Sequence, residues 1–475
     1  MKIFLTGATG YIGKRLLIQL LEEGHTVVCS VRDQKRFGTK LYGKHLNQIE
    51  IVENDFLDES TLTNIPVDID AAYYLIHSMS SGEGDFQQKE KASADHFRKA
   101  LEKTSVRQVI FLTGIINTEK LSKHLQSRKN VEDALKSENY ALTNLRAGIV
   151  VGSGSASFEI IRDLVEKLPV MVAPKWLSTR CQPIAIRNVI QFLVGVLAKE
   201  STFNNNYDIA GKDILTYKQM LLQYAEVRGL KRGIFEVPVM TPKLSAYWLY
   251  FITSTSYPLA KNLVDSMKID VIAQPNDLAE NLGIKLFSYK EAINQAFDKI
   301  KQNNVLSSWY DSFSTQFHAR NIWQYLEVPN KGCFKDTRKI KIADEEATLA
   351  RIFSIGGNTG WYYADFLWKI RGFLDKLFGG VGIRRGRRNL NNLEAGDSVD
   401  FWRVLYASQE EKRLLLFAEM KVPGEAWLEF KIKDGFLHQE ATFRPLGLSG
   451  RLYWYSVLPF HGLIFNGMLK KLAGK

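Results

Sequence analysis

The sequence predicts an α/β fold: a doubly wound parallel sheet, followed by a smaller α+β domain with an antiparallel sheet and a long C-terminal helix. Three observations carry this expectation. Short apolar runs alternate with helical stretches through the first half of the chain, the pattern of a parallel sheet with crossover helices. A glycine-spaced turn joins the first apolar run to the first helix. The last part of the chain changes to period-two alternation, which argues antiparallel strands.

Met1-Lys2-Ile3-Phe4-Leu5-Thr6 reads as a buried strand, and no leader is expected before it. Gly7-Ala8-Thr9-Gly10-Tyr11-Ile12-Gly13 follows, with glycines spaced G-x-x-G-x-x-G, and Lys14 to Leu21 reads as a helix. A strand, a tight glycine turn and a helix N-terminus form a cradle for phosphate. The glycines let backbone N–H groups approach closely, and the helix dipole favours an anion. The flanking strand and helix are the context that gives the motif its meaning.

Thr26 to Val31 is the second strand, and Arg32 follows it. An acid there would bind the ribose hydroxyls of NAD. A guanidinium instead neutralises the 2′-phosphate of NADP, so NADP is expected over NAD, with Asp33 next in sequence keeping NAD open. Ile49–Val52 is the third strand, running into Asp55 and Phe56; Ala71–Ile76 is the fourth, running into His77; Val106–Leu112 is the fifth, ending at Thr113-Gly114.

The turn's spacing resembles the short-chain dehydrogenase/reductase superfamily, in its extended and atypical, NmrA-like branches. The resemblance implies a Rossmann-type sheet in which Gly7, Thr9, Gly10, Tyr11, Ile12 and Gly13 surround the pyrophosphate. It also implies that Asp55, with Phe56 beside it, meets the adenine, and that the mouth of the fourth strand at His77 lies along the nicotinamide ribose. A typical member has a Ser or Thr after the fifth strand and a Tyr-x-x-x-Lys pair on the next helix. Thr113 fits the first position, but His124 and Arg128 stand where Tyr and Lys are expected. The i,i+4 spacing keeps the two side chains on one helix face. His124 can donate a proton near neutral pH, whereas Arg128 can hold a ribose or phosphate but does not lose its proton. The Tyr257-x-x-x-Lys261 sequence contains Pro258 and lies far downstream, so it is read as chance.

Composition sets outer bounds. With 45% hydrophobic and 24% charged residues, the chain is globular rather than disordered, and 475 residues suggest two or three domains. The expected division is a dinucleotide-binding domain over 1–303 with a substrate subdomain at about 204–300, a linker over 304–330 and a ligand-binding domain over 331–475. Cys29, Cys181 and Cys333 form no paired spacing, which fits a reducing compartment and a cytoplasmic location. No apolar run reaches the ~18–20 residues of a spanning helix. The net charge is +12, and the stretch from Lys331 onward holds 24 basic against 16 acidic residues.

In that last third, Arg351–Ile355 is expected to be a strand and Trp361–Phe378 an amphipathic helix. Arg384, Arg385, Arg387 and Arg388 then form a basic loop. This loop fits weak contact with an anionic surface such as the inner membrane face. It lacks interleaved aromatics, so no nucleic acid is expected. Strands are expected at Phe401–Tyr406, Leu414–Lys421, Ala426–Lys433 and Leu437–Arg444, followed by an apolar helix to Leu472. A curved antiparallel sheet with a terminal helix resembles the helix-grip (START-like, SRPBCC) fold, which implies an apolar ligand. The phrases Tyr73–Met79, Arg180–Arg187, Asp400–Val404 and Arg451–Tyr455 make the whole chain similar to a bacterial group that joins a short-chain-dehydrogenase-like domain to a domain of unknown function. The function expected is NADP(H)-dependent oxidoreduction of a hydrophobic small molecule. A non-catalytic NADP(H) sensor or scaffold, and a lipid- or quinone-associated assembly factor at a membrane surface, stay open.

Overall fold

The computed structural model describes all residues except 33, 35–36, 38, 77–85, 117–122, 238–245, 247–248, 250–259, 262–263, 265–266, 302–327, 329–332, 379 and 384–392. His77 and the four arginines of the basic loop therefore lie outside the described residues, as does most of the expected linker. The chain divides into two compact units.

The first unit is built on a parallel sheet of strands β1 (Lys2–Thr6), β2 (Thr26–Val31), β3 (Ile49–Glu53), β4 (Ala71–Tyr74), β5 (Gln108–Gly114), β6 (Ala141–Ala147) and β7 (Asn206–Ile209). Their order is β7-β6-β5-β4-β1-β2-β3, and every neighbouring pair is parallel. Strand period two divides the side chains between two apolar layers. Ile3 and Leu5 pack with Leu16, Leu17 and Leu20 of α1 (Tyr11–Glu22) and with Val189 and Leu193 of α5 (Ile186–Gly195). Phe4 points the other way, onto Phe97 of α2 (Phe86–Leu101) and Val131 of α3 (Lys123–Ala134). Helices thus cover both faces, which is why the central strands β1, β2 and β4 are buried on both faces rather than alternating.

Strand order reverses between β1 and β4, and the crevice at that switch point is where a doubly wound sheet binds ligands. Thr6 closes its floor: its hydroxyl donates to the Tyr73 carbonyl at 3.0 Å and accepts from the Leu75 N–H at 3.0 Å. Beyond β6 the chain builds an apolar lobe from α4 (Ala156–Lys167), α6 (Tyr217–Val227) and α7 (Tyr289–Lys301), around Phe158, Met220, Tyr224 and Ile293. Cys181 is buried there, its Sγ 3.5 Å from the Leu215 carbonyl and 3.2 Å from Met220 Sδ, and desolvation pushes its pKa up to about 12. The thiol is structural, as its sequence context suggests.

The second unit holds six antiparallel strands: β8 (Phe334–Lys341), β9 (Ser398–Val399), β10 (Trp402–Ser408), β11 (Arg413–Ala418), β12 (Gly424–Lys433) and β13 (Phe436–Pro445), in the order β8-β13-β12-β11-β10-β9. Helices α8 (Glu345–Phe353), α9 (Asp365–Leu377) and α10 (Gly447–Leu472) contribute to its core, with Ile352, Trp368, Met468 and Leu472 packed among Leu414, Leu428 and Leu437.

Two sequence expectations are corrected here. Residues 351–355 do not form a strand; 351–353 are the last turn of α8. Its determinants lie upstream of the apolar run: the Asp344 carboxylate caps the helix by accepting from Ala347 N–H, Glu345 and Glu346 occupy the first turn, and Thr348 and Ile352 are buried one helical turn apart. Helix α9 starts at Asp365 rather than Trp361, because Ala364 takes a left-handed φ of 52° that no helix continues through. β8 has no counterpart among the expected strands. Its lysines and arginines hide the alternation that the sheet imposes.

Candidate functional site: the glycine turn and the mouth of β5

Gly7 turns the chain at φ +67°, and Gly10 N–H donates to the Gly7 carbonyl at 2.8 Å. Helix α1 begins immediately after. Gly10 is its N-cap, no side chain caps it, and its first turn contains no acid. The positive end of the helix dipole therefore faces the turn with no capping side chain and no first-turn acid to offset it. Gly13 lies so close beneath the turn that a Cβ there would stand 2.1 Å from the Gly7 carbonyl oxygen. A cradle this tight, lined by backbone donors at the switch point, fits a pyrophosphate. Ile12 is half-buried and Thr9 is exposed on the turn.

Two residues assigned to the cofactor take other roles with their side chains. The Tyr11 ring turns inward toward the loop after β6: a Cβ on Gly152 would lie 2.7 Å from its hydroxyl. Arg15 covers the other side, its guanidinium carbon 4.0 Å from the Tyr11 ring centre. That guanidinium donates to the carbonyls of Tyr11 at 2.8 Å and Ser153 at 3.1 Å. Burial pushes the Tyr11 phenol up to about 12, so it is no substitute for the missing catalytic tyrosine. Ser155 in this loop caps α4, accepting from Phe158 N–H. The Phe56 ring is likewise buried, 5.6 Å from the Phe97 ring centre in the α2 layer. The Tyr11 hydroxyl and the Phe56 ring thus point into packed surroundings, while Tyr11 as a whole is half-buried. A motif fixes where a residue sits along the chain, not which way its side chain turns.

At the far edge of the crevice Arg32 is exposed at the end of β2. Although solvent-facing, it is crowded: desolvation draws its pKa down, and the charge of Asp55 draws it back up. The Asp55 carboxylate accepts from Leu57 N–H at 3.0 Å, which fixes the loop after β3.

Two of the catalytic candidates, Thr113 and Arg128, lie near the end of β5. Thr113 is 9% exposed, and its Oγ1 has no hydrogen-bond partner among the described residues. Next to it, Gly114 leaves room for Arg128: a Cβ on Gly114 would be 1.8 Å from the Arg128 guanidinium. Desolvation lowers the Arg128 pKa and the Glu90 charge opposes this. Glu90, on α2, accepts from the Ser127 hydroxyl at 2.6 Å. His124 lies one turn before Arg128 on α3, and its side chain is outside the described residues. The Arg128 guanidinium thus approaches Gly114, the residue after Thr113, while Thr113 and Gly114, as neighbours in a strand, direct their side positions to opposite faces. Arg15 and Glu90 were not anticipated; the i,i+4 spacing of Tyr11 and Arg15 is a local signal, whereas Glu90 is linked only through the tertiary packing of α2 on α3.

These features place the chain in a class. The first unit is an NAD(P)H-binding domain with a short-chain-dehydrogenase-like fold, matched over residues 7–154 by the NAD(P)H-binding family. The second carries a domain described as a protein of unknown function (DUF2867), matched over residues 330–468. The chain is 22% identical over 246 residues to the photosystem II assembly factor Ycf39 of Synechocystis, covering 50% of this chain and 71% of that protein. Among solved structures, a Citrobacter triphenylmethane reductase complexed with NADP(H) is 18% identical with a TM-score of 0.50, covering 62% of this chain and 100% of that one. A Staphylococcus aureus nucleoside-diphosphate-sugar epimerase is 14% identical with a TM-score of 0.49, over 62% of this chain and 100% of its own.

Proposed function

We propose that the protein is an NADP(H)-dependent oxidoreductase acting on a small hydrophobic carbonyl compound or alcohol. The observation that carries the reading is the buried Thr113 hydroxyl at the end of β5, without a hydrogen-bond partner among the described residues, with the Arg128 guanidinium close to the next residue, Gly114. A buried hydroxyl without a partner costs stability, and such groups persist where a ligand completes them. When bound, the dinucleotide supplies the hydride chemistry. The Gly7–Gly13 turn holds its pyrophosphate and Arg32 its 2′-phosphate. Thr113 donates to the substrate oxygen, His124 moves the proton to or from that oxygen, and Arg128 positions the ribose.

Removing the guanidinium in Arg32→Ala deletes a charge-assisted contact worth ~1.5–3 kcal/mol, so NADPH binding weakens ~10–100-fold. NADH binding stays within about twofold, since NADH has no 2′-phosphate to lose. Titration calorimetry with both cofactors reads this; an equal loss for the two removes Arg32 from the 2′-phosphate site. In a carbonyl panel followed by NADPH oxidation, His124→Phe lowers kcat ~100-fold or more while the KM for NADPH holds.

A second reading draws on the replacement of Tyr and Lys by His124 and Arg128: a dinucleotide-binding protein without turnover, with a sensing or assembly role of the kind the name Ycf39 indicates for that relative. It expects tight NADPH binding and no oxidation with any member of the panel.

A further inference from the structure

We propose that α9 of the second unit docks on an anionic lipid surface, with its outward apolar stripe entering the interface. The proposal is independent of the dinucleotide chemistry. In α9, Phe366, Ile370, Phe373, Leu374 and Leu377 fall within one arc of about 100° at helical spacing. All are exposed, Phe366 and Phe373 by 62% and 58%, and Phe378 just beyond the helix by 71%. The core takes the opposite side: Trp368, Gly372 and Asp375.

This orientation is built in. Trp368 stacks on Trp361 with ring centres 4.6 Å apart. Gly372 is so closely approached by Ile383 that a Cβ would lie 2.4 Å from its side chain. The buried Asp375 carboxylate accepts from Gly382 N–H at 2.8 Å and from Lys421 N–H at 2.6 Å. Turning the apolar stripe inward would break all three arrangements and expose an indole. A 13-residue helix held in place by a buried carboxylate therefore presents its most hydrophobic side to solvent. Stripes of this size on a soluble surface mark an interaction site.

Charge selects the occupant. Lys369 and Lys376 lie along one border of the stripe and Arg371 along the other, by helical position. The acids of α9 are Asp375, which is buried, and Asp365 at the N-terminal end, which accepts from Trp361 N–H. Basic side chains flanking an apolar stripe of Phe, Ile and Leu are what an interfacial helix needs: the rings enter the acyl boundary while the cations reach anionic headgroups. Helix α10 lies alongside, with Arg371 donating to the Tyr453 hydroxyl at 3.4 Å. It exposes a second stripe, Leu448, Leu452 and Tyr455, with Arg451 beside it. Among the described residues no helix is long and apolar enough to cross a membrane, so the contact is with the surface. The arginines at 384, 385, 387 and 388 lie outside the described residues, and the proposed contact rests on α9.

The test is flotation of the full-length protein with phosphatidylcholine vesicles containing about a third phosphatidylglycerol, against phosphatidylcholine alone. The expected result is cofractionation with the anionic vesicles. In Phe373→Ser/Leu377→Ser binding falls at least ~10-fold, since two large side chains lose their burial. In Lys369→Glu/Lys376→Glu it falls at least ~10-fold on anionic vesicles, while any binding to neutral vesicles is unchanged. Phe373, Leu377 and Lys369 are exposed and Lys376 is half-buried, and unchanged thermal unfolding and NADPH binding verify that the variants fold. Three results overturn the proposal: no flotation of the wild-type protein at low salt, wild-type flotation of the Phe373/Leu377 variant, or a wild-type dimer by light scattering that becomes monomeric in that variant without any lipid binding. The last would make the face a contact between copies.

Discussion

Gly13→Ala is expected to cut NAD(P)H affinity ~100-fold or more, the loss of two charge-assisted hydrogen bonds to phosphate. The single added methyl would sit 2.1 Å from the Gly7 carbonyl oxygen, 2.8 Å from the Gly7 carbonyl carbon and 3.1 Å from the Ala8 Cα. All three are backbone atoms, so no side-chain rotation relieves the overlap. The turn has to open. Opening it lengthens the 2.8 Å bond from Gly10 N–H to the Gly7 carbonyl and moves the first N–H groups of α1 away from where a pyrophosphate would rest. Folding loses ~1–3 kcal/mol from overpacking as well. Gly24→Ala is the control. Gly24, unlike Gly13, lies at positive φ, +82°, but a Cβ there would meet nothing within 4 Å. It pays backbone strain without closing the cradle, so its NADPH affinity stays near wild type. Fluorescence titration of NADPH separates the two, and a Gly13→Ala protein that binds NADPH like the wild type means the turn does not hold the cofactor.

The glycine turn was legible because its signal is local: strand, three glycines and helix fall within the first two dozen residues, and sterics at each glycine follow from spacing alone. That Arg128 reaches the end of β5 at Gly114 was legible for a related reason, since a strand end and a helix position are both set by local geometry. What spacing does not encode is direction and distant company. Tyr11 and Phe56 sit where the motif says, yet one ring turns toward Gly152 and the other into the α2 layer. Glu90 reaches the Arg128 neighbourhood only because α2 and α3 pack together. The helix ending at Phe353 was hidden because its cap and acidic first turn precede the apolar run that reads as a strand. For α9 the periodicity was plain but its sense was not. Apolar stripes ordinarily face the core, and only the hydrogen bonds of Asp375 and the stacking of Trp368 reveal that this one faces out.

Arg403→Met is expected to destabilise the second unit by ~3–5 kcal/mol. Arg403 and Glu419 form an ion pair sealed in the sheet layer, with side chains 1% and 4% exposed. The Arg403 Nε donates to Glu419 Oε1 at 2.9 Å, Nη2 lies 2.8 Å from the same oxygen, and Nη1 donates to the Gly396 carbonyl at 2.6 Å. One guanidinium therefore joins β10, the residue just beyond β11, and the turn before β9. Truncating it leaves a buried carboxylate and a buried carbonyl, and the uncompensated charge dominates the cost. Arg403→Lys retains a charge but not the fork, so it falls between Met and wild type. Arg403→Met/Glu419→Leu removes both charges and recovers most of the loss, because two apolar side chains of similar volume need no partner. Among the described residues Trp361, Trp368, Trp402, Trp427 and Trp454 lie in this unit, so urea unfolding of the full-length chain followed by tryptophan emission reports on it. If Arg403→Met shifts that transition by less than about 1 kcal/mol, the pair behaves like an exposed one. The expected order, with the single variant far below the double, would identify the Arg403–Glu419 pair as a constraint on strand arrangement rather than a net source of stability.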